Sequence, residues 1–163
     1  MNKNGVSIKG ITHAAIIAAL YVVLTYVAAF LGLSSGVIQF RISEMLNAFA
    51  LFTPYAVPGL FLGCIAANIL TGCIAVDVVV GSLATLVGAF FAYKFRKYPF
   101  VALLFPVIAN AVAIPPVLAY AYGFEGSIIY FFFTVALGEI VCAYLLGLFL
   151  NAVVSKYKAH IFN

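Results

Sequence analysis

A few carboxylates and amides stand out in a chain otherwise nearly bare of polar chemistry. Glu139 follows Gly138 deep in an apolar run, and Asn68 and Asn110 lie inside two others. Gln39, Arg41 and Glu44 form one polar group, and Asp77 opens another apolar stretch. On insertion scales a central carboxylate costs about 2.5–3.5 kcal/mol, whereas a leucine returns only about 0.3–0.6 kcal/mol. Glu139 must therefore face a bundle interior or a wet cavity, and the buried amides need partners too. Together these residues suit the wall of one cavity open to the outside, with carboxylates as acceptors and Asn, Gln and Arg as donors. Other roles fit the same atoms: Asn68 and Asn110 as interhelical glue, or Glu139 with Asp77 as the acid and base of an intramembrane enzyme. A purely structural membrane partner is a further alternative. Arg41 and Glu44, three residues apart, share a helix face and are spaced to pair with each other.

Known catalytic templates are missing. His13 and His160 sit at opposite ends of the chain, no GxSxG or HExxH occurs, and there is no GK[ST] of a phosphate-binding loop. The chain cannot hydrolyse ATP itself, so uphill transport would draw on a partner or an ion gradient. Cys64, Cys73 and Cys142 form no CxxC and have no histidine nearby, which points to small buried hydrophobes rather than a metal site or disulfides. No metal, cofactor or nucleic-acid partner is expected.

The elements that must hold these residues follow from composition. The 163 residues are 67% hydrophobic and 7% charged, against about 45–50% and 25% in soluble domains. The apolar runs are continuous rather than alternating, which favours membrane helices over a β-barrel. Six spans are expected in a single membrane domain, 1–163, at about 11–31, 42–53, 59–74, 78–95, 100–119 and 127–154. The boundaries fall at the cluster 32–36, at Pro54 and Pro58, at Asp77, at Lys94 to Pro99 and in the loop 122–126. Pro106 and the pair Pro115 and Pro116 should kink or end the fifth span. With both termini inside, Lys3, Lys9, Lys94, Arg96, Lys97, Lys156 and Lys158 share the cytoplasmic side, seven of the eight basic residues. Only Arg41 is left outside. Small residues mark close packing: Ala14 and Ala18, with Ala15 and Ala19 beside them, and Gly59 and Gly63 form small-xxx-small ridges suited to the bundle or to a partner helix.

These residues also carry a resemblance. The run from Ile38 to Glu44, Phe52-Thr53-Pro54, the segment from Pro58 to Cys64 with Ala67-Asn68, the segment from Asp77 to Thr85, Asn110, and the run from Ala136 to Glu139 resemble the QueT-type queuosine precursor transporters. These are substrate-binding (S) components of energy-coupling factor (ECF) transporters. The resemblance implies an all-α six-helix S component of the cell membrane that captures its ligand outside. It would dock on a membrane coupling protein bearing two ATPase subunits. It implies an alanine ridge on the first helix for docking, matched by Ala14 and Ala18, with Ala15 and Ala19 as an alternative register. The implied ligand is a 7-deazaguanine base or queuine; another flat heterocycle, such as a flavin, thiamine or a pyrimidine, is the alternative. Such a base presents a ring N–H and an amine to a carboxylate, a role open to Glu139, Glu44 and Asp77. Its carbonyl wants a donor, which Asn68, Asn110, Gln39 or Arg41 can supply.

Overall fold

The computed structural model describes residues 7–33 and 39–161, with side chains as far as Tyr157. Lys3, the cluster at 34–36 and Ile38 lie outside the described residues, as do the side chains of Lys158 and His160. All regular secondary structure among the described residues is helical, as the unbroken apolar runs require: in lipid, each backbone amide must find its partner within its own segment. Four helices are long and apolar enough to cross a membrane: α1 (Ile8–Phe30), α3 (Ala75–Lys94), α4 (Pro99–Ala121) and α5 (Ile128–Tyr157). Between α1 and α3 lie two shorter apolar helices, the 3-10 helix Ile42–Leu51 and α2 (Ala56–Leu70). The protein is a multi-pass membrane protein. The outward side of α1 shows why: Ile11, Ile16, Val23, Tyr26 and Phe30 are each more than half exposed, a surface that suits hydrocarbon.

Close packing follows the small residues. A Cβ on Gly59 would stand 2.7 Å from the Ala14 carbonyl oxygen, and one on Gly63 would stand 3.0 Å from the Ala18 Cα. Ala14 and Ala18 thus meet the glycine ridge of α2, while Ala15 and Ala19 remain exposed. Gly88 plays the same part between α3 and α4, where a Cβ would stand 2.7 Å from the Pro106 Cα.

The 3-10 helix lies at the centre, packed against α1, α3 and α5, and Ser43, Glu44, Leu46, Asn47, Ala48, Ala50 and Leu51 are all buried in it. With three residues per turn, positions i and i+3 eclipse, which stacks Glu44 directly against Asn47.

Proline and glycine shape the ends nearest the polar residues. At the end of α2, Gly72 takes φ +76°. This left-handed turn brings the Cys73 amide back to the Asn68 carbonyl at 2.9 Å. Pro115 and Pro116 do not end α4. They remove two amide donors, and the helix runs on as a π-helical turn, Val117–Ala121. α5 also turns π-helical, over Ile140–Leu146, directly after Glu139, a distortion that recurs at functional sites.

Candidate functional site

A cavity of about 210 Å³ opens where the C-terminal ends of α1 and α2 meet the start of α3, and Gln39, Arg41, Asn68 and Asp77 all line it. Each arrives from a different local cause. Asp77 lies in the first turn of α3, whose helix starts at Ala75 and not after the aspartate; a carboxylate is favourable there against the helix dipole. Asn68 sits at the end of α2 under the Gly72 turn. Arg41 caps the 3-10 helix with non-helical φ −84° and ψ 82°.

That backbone sets aside the alternative pairing of Arg41 with Glu44. Turned out of the helical row, the guanidinium reaches Asp77 instead, with Nη2 3.4 Å from Oδ2 and 3.5 Å from Oδ1. The Tyr122 hydroxyl donates to the same Oδ2 at 3.0 Å. Tyr122 belongs to the loop after α4 and stacks on Phe124, with centroids 5.9 Å apart; both line the cavity. Burial first and Asp77 second push the Tyr122 phenol above its ordinary range, so it stays protonated and donates to the carboxylate.

Gly81 marks the point where these groups converge. A Cβ there would lie 3.3 Å from Asp77 Oδ1 and 3.4 Å from both Arg41 Nη1 and Asn68 Nδ2. Substituting Gly81→Ala should favour the helix by about 0.8–1.0 kcal/mol while crowding these three polar groups. The expected result is a thermal midpoint equal to or above wild type with ligand affinity about tenfold lower; undiminished affinity would show that the ligand seats elsewhere.

Glu44, Asn110 and Glu139 are buried and do not line the cavity. Glu44 is fully occupied: Tyr21 donates its hydroxyl to Oε1, Asn47 donates to Oε2 at 2.7 Å, and Thr85 donates to Oε1 at 3.3 Å. Glu139 lies within electrostatic reach of Glu44 and Arg41 and neighbours Asn110. Yet both Asn110 amide atoms, Glu139 Oε2 and Arg41 Nη1 have no hydrogen-bond partner among the described residues. Native interiors leave few such atoms unsatisfied, since each costs about 1–3 kcal/mol. The Gln39 backbone is pressed against α5 here, because a Cβ on Gly138 would collide with the Gln39 carbonyl oxygen.

Sequence reading missed Tyr21, Asn47, Thr85 and Tyr122. Thr85 was detectable: Asp77, Gly81 and Thr85 recur every four residues and so fall on one face of α3. Asn47 stands three residues from Glu44, a neighbour only once that segment is helical. Tyr21 and Tyr122 carry no local signal, because their partners are 23 and 45 residues away.

The profile of the QueT transporter family matches residues 11–156, nearly the whole chain and every residue of the cavity wall. The chain is 45% identical over 60 residues to the queuosine precursor transporter QueT of Lactococcus lactis subsp. cremoris (strain MG1363). That match covers 37% of this chain and 36% of the relative. No solved structure matches the chain. With a family match over residues 11–156, the chain belongs to the QueT transporter family.

Proposed function

We propose that the chain is the substrate-binding membrane subunit of an ECF-type importer, taking up a queuosine precursor, a 7-deazaguanine base or queuine, from outside the cell. One observation carries the reading: beside a polar cavity, buried donors (Arg41 Nη1, Asn110 Nδ2) and acceptors (Asn110 Oδ1, Glu139 Oε2) have no partner among the described residues. A flat lactam offers the complement, a carbonyl for the donors and N–H groups for the acceptors. The name of the Lactococcus relative supports the same ligand class. In this reading the chain crosses the cell membrane six times, the two short helices included, with both termini in the cytoplasm. It lacks a nucleotide-binding motif, so a coupling protein and two ATPase subunits supply the energy. Of the two alanine registers on α1, Ala15 and Ala19 are exposed for that docking, while Ala14 and Ala18 are engaged with α2.

Binding by the purified protein tests the reading directly. The two biosynthetic precursors and queuine should bind at micromolar concentration or below, ahead of thiamine and riboflavin; no binding to any of the three removes the ligand assignment. Cys73 then locates the site, since it lines the cavity while Cys64 and Cys142 are buried. Bound ligand should slow maleimide labelling of Cys73, and an unchanged rate at saturating ligand would move the site elsewhere. Glu139→Gln should weaken binding by about 0.5–1.5 kcal/mol through loss of one hydrogen bond, read as the change in Kd at constant thermal stability.

A further inference from the structure

The end of α1 opposite the polar cavity carries a second surface, built in two parts. Where the helix begins, a polar pocket of about 300 Å³ is lined by Lys9 and His13, with Thr53 and Tyr55 across from them. Gly10 lets α1 come down onto Tyr55, since a Cβ there would collide with the ring, and the Ser7 amide donates to the Tyr55 hydroxyl at 3.4 Å. His13 is shared with an apolar groove of about 400 Å³, in which Ile16, Ile17 and Leu20 meet Phe49 of the 3-10 helix and Val154 of α5. The hydroxyl in that groove, on Thr12, is satisfied by the Ile8 carbonyl at 3.0 Å.

Charge and depth point to the same kind of occupant. Lys9 is exposed, as is Lys156, two residues past Val154, and no acidic side chain lines either part. Lys9 and Leu20 are 11 residues apart, about 16 Å along a helix axis. That is the depth of one leaflet, half of a hydrocarbon core of about 30 Å. A molecule that fills both parts has an anionic group at the membrane interface and an alkyl chain that reaches the bilayer midplane. A soluble anion would leave the groove empty, and an apolar helix would give Lys9 no counter-charge.

We propose that this surface holds one anionic phospholipid, its phosphate beside Lys9 and an acyl chain laid along Ile16 and Leu20. The seat is independent of the importer reading, because the polar cavity takes its part of α1 from Thr25, Ala28 and Ala29 at the other end. It also lies on another side of α1 from Ala14 and Ala18, which meet α2.

The chain has no tryptophan, so Phe49→Trp puts a single fluorescent reporter on the groove wall. In phosphatidylcholine bilayers, brominated phosphatidylglycerol should quench that reporter with a relative affinity at least about fivefold above that of brominated phosphatidylcholine. Quenching by the two lipids that is equal within about twofold overturns the headgroup seat. Quenching by neither shows a groove closed to acyl chains, as a second copy packed there would close it, and overturns the proposal outright. Adding Lys9→Gln to the reporter should bring the preference to within about twofold while both lipids still quench; an undiminished preference overturns the seat at Lys9. If Phe49→Trp does not fold, native mass spectrometry of the wild-type protein with the unbrominated lipids makes the same comparison. Retention of one phosphatidylglycerol per chain in preference to phosphatidylcholine supports the seat, and equal retention of the two overturns it.

Discussion

Arg41→Ala is expected to abolish ligand capture, raising Kd by at least about 100-fold and lowering stability together. The guanidinium is the only described cation among Asp77, Glu44 and Glu139. Removing one member of a buried pair costs about 3–5 kcal/mol, because the remaining charge is stranded away from water. Asp77 would keep only Tyr122, and the cavity would lose its one guanidinium donor. Arg41→Lys is the informative companion. Lysine keeps the charge but not the planar fork, so it should restore most of the stability and little of the affinity. Titration of each variant beside its thermal midpoint separates the two effects; wild-type affinity in Arg41→Ala would rule Arg41 out of the binding surface.

Glu44→Ala should cost about 3–5 kcal/mol in stability, as much as Arg41→Ala, although Glu44 lies off the cavity wall. The carboxylate ties α1 through Tyr21, the 3-10 helix through Asn47 and α3 through Thr85. Alanine strands the Tyr21 hydroxyl and takes one acceptor each from Asn47 and Thr85, which keep the Glu44 and Gly81 carbonyls. Glu44→Gln keeps the shape and part of the bonding, so it should lose roughly half as much. The chain contains no tryptophan, so unfolding is best followed by circular dichroism in detergent. A Glu44→Ala midpoint within a degree or two of wild type would mean that the three donors find other partners.

The two substitutions act on different layers, and the layering bears on how much of the site was legible. Gln39, Arg41, Asn68 and Asp77 stand out in the sequence because polar groups beside apolar segments are costly, and they meet at one cavity. Glu44, Asn110 and Glu139 stand out on the same ground and lie buried off its wall. Insertion cost is a property of one residue and its depth. It identifies residues that need partners and is silent on which partners they have. The alternative Arg41 and Glu44 pair is absent for a local reason, since the capping backbone of Arg41 departs from the helix whose periodicity that pairing requires. The small-residue ridges were read correctly as sites of close approach, but only the packed structure joins Ala14 and Ala18 to Gly59 and Gly63.

Composition and apolar run length alone determined an all-helical membrane protein with breaks close to those observed, because backbone satisfaction in lipid and the chemistry of Gly, Pro and charge act within a single segment. The 3-10 geometry that stacks Glu44 on Asn47, the π-helical turns after Pro116 and Glu139, and the contact of Arg41 with Asp77 across 36 residues came only with the tertiary structure. Those features depend on how closely helices approach one another. That distance is set through space, by which small residue meets which backbone, and no single segment encodes it.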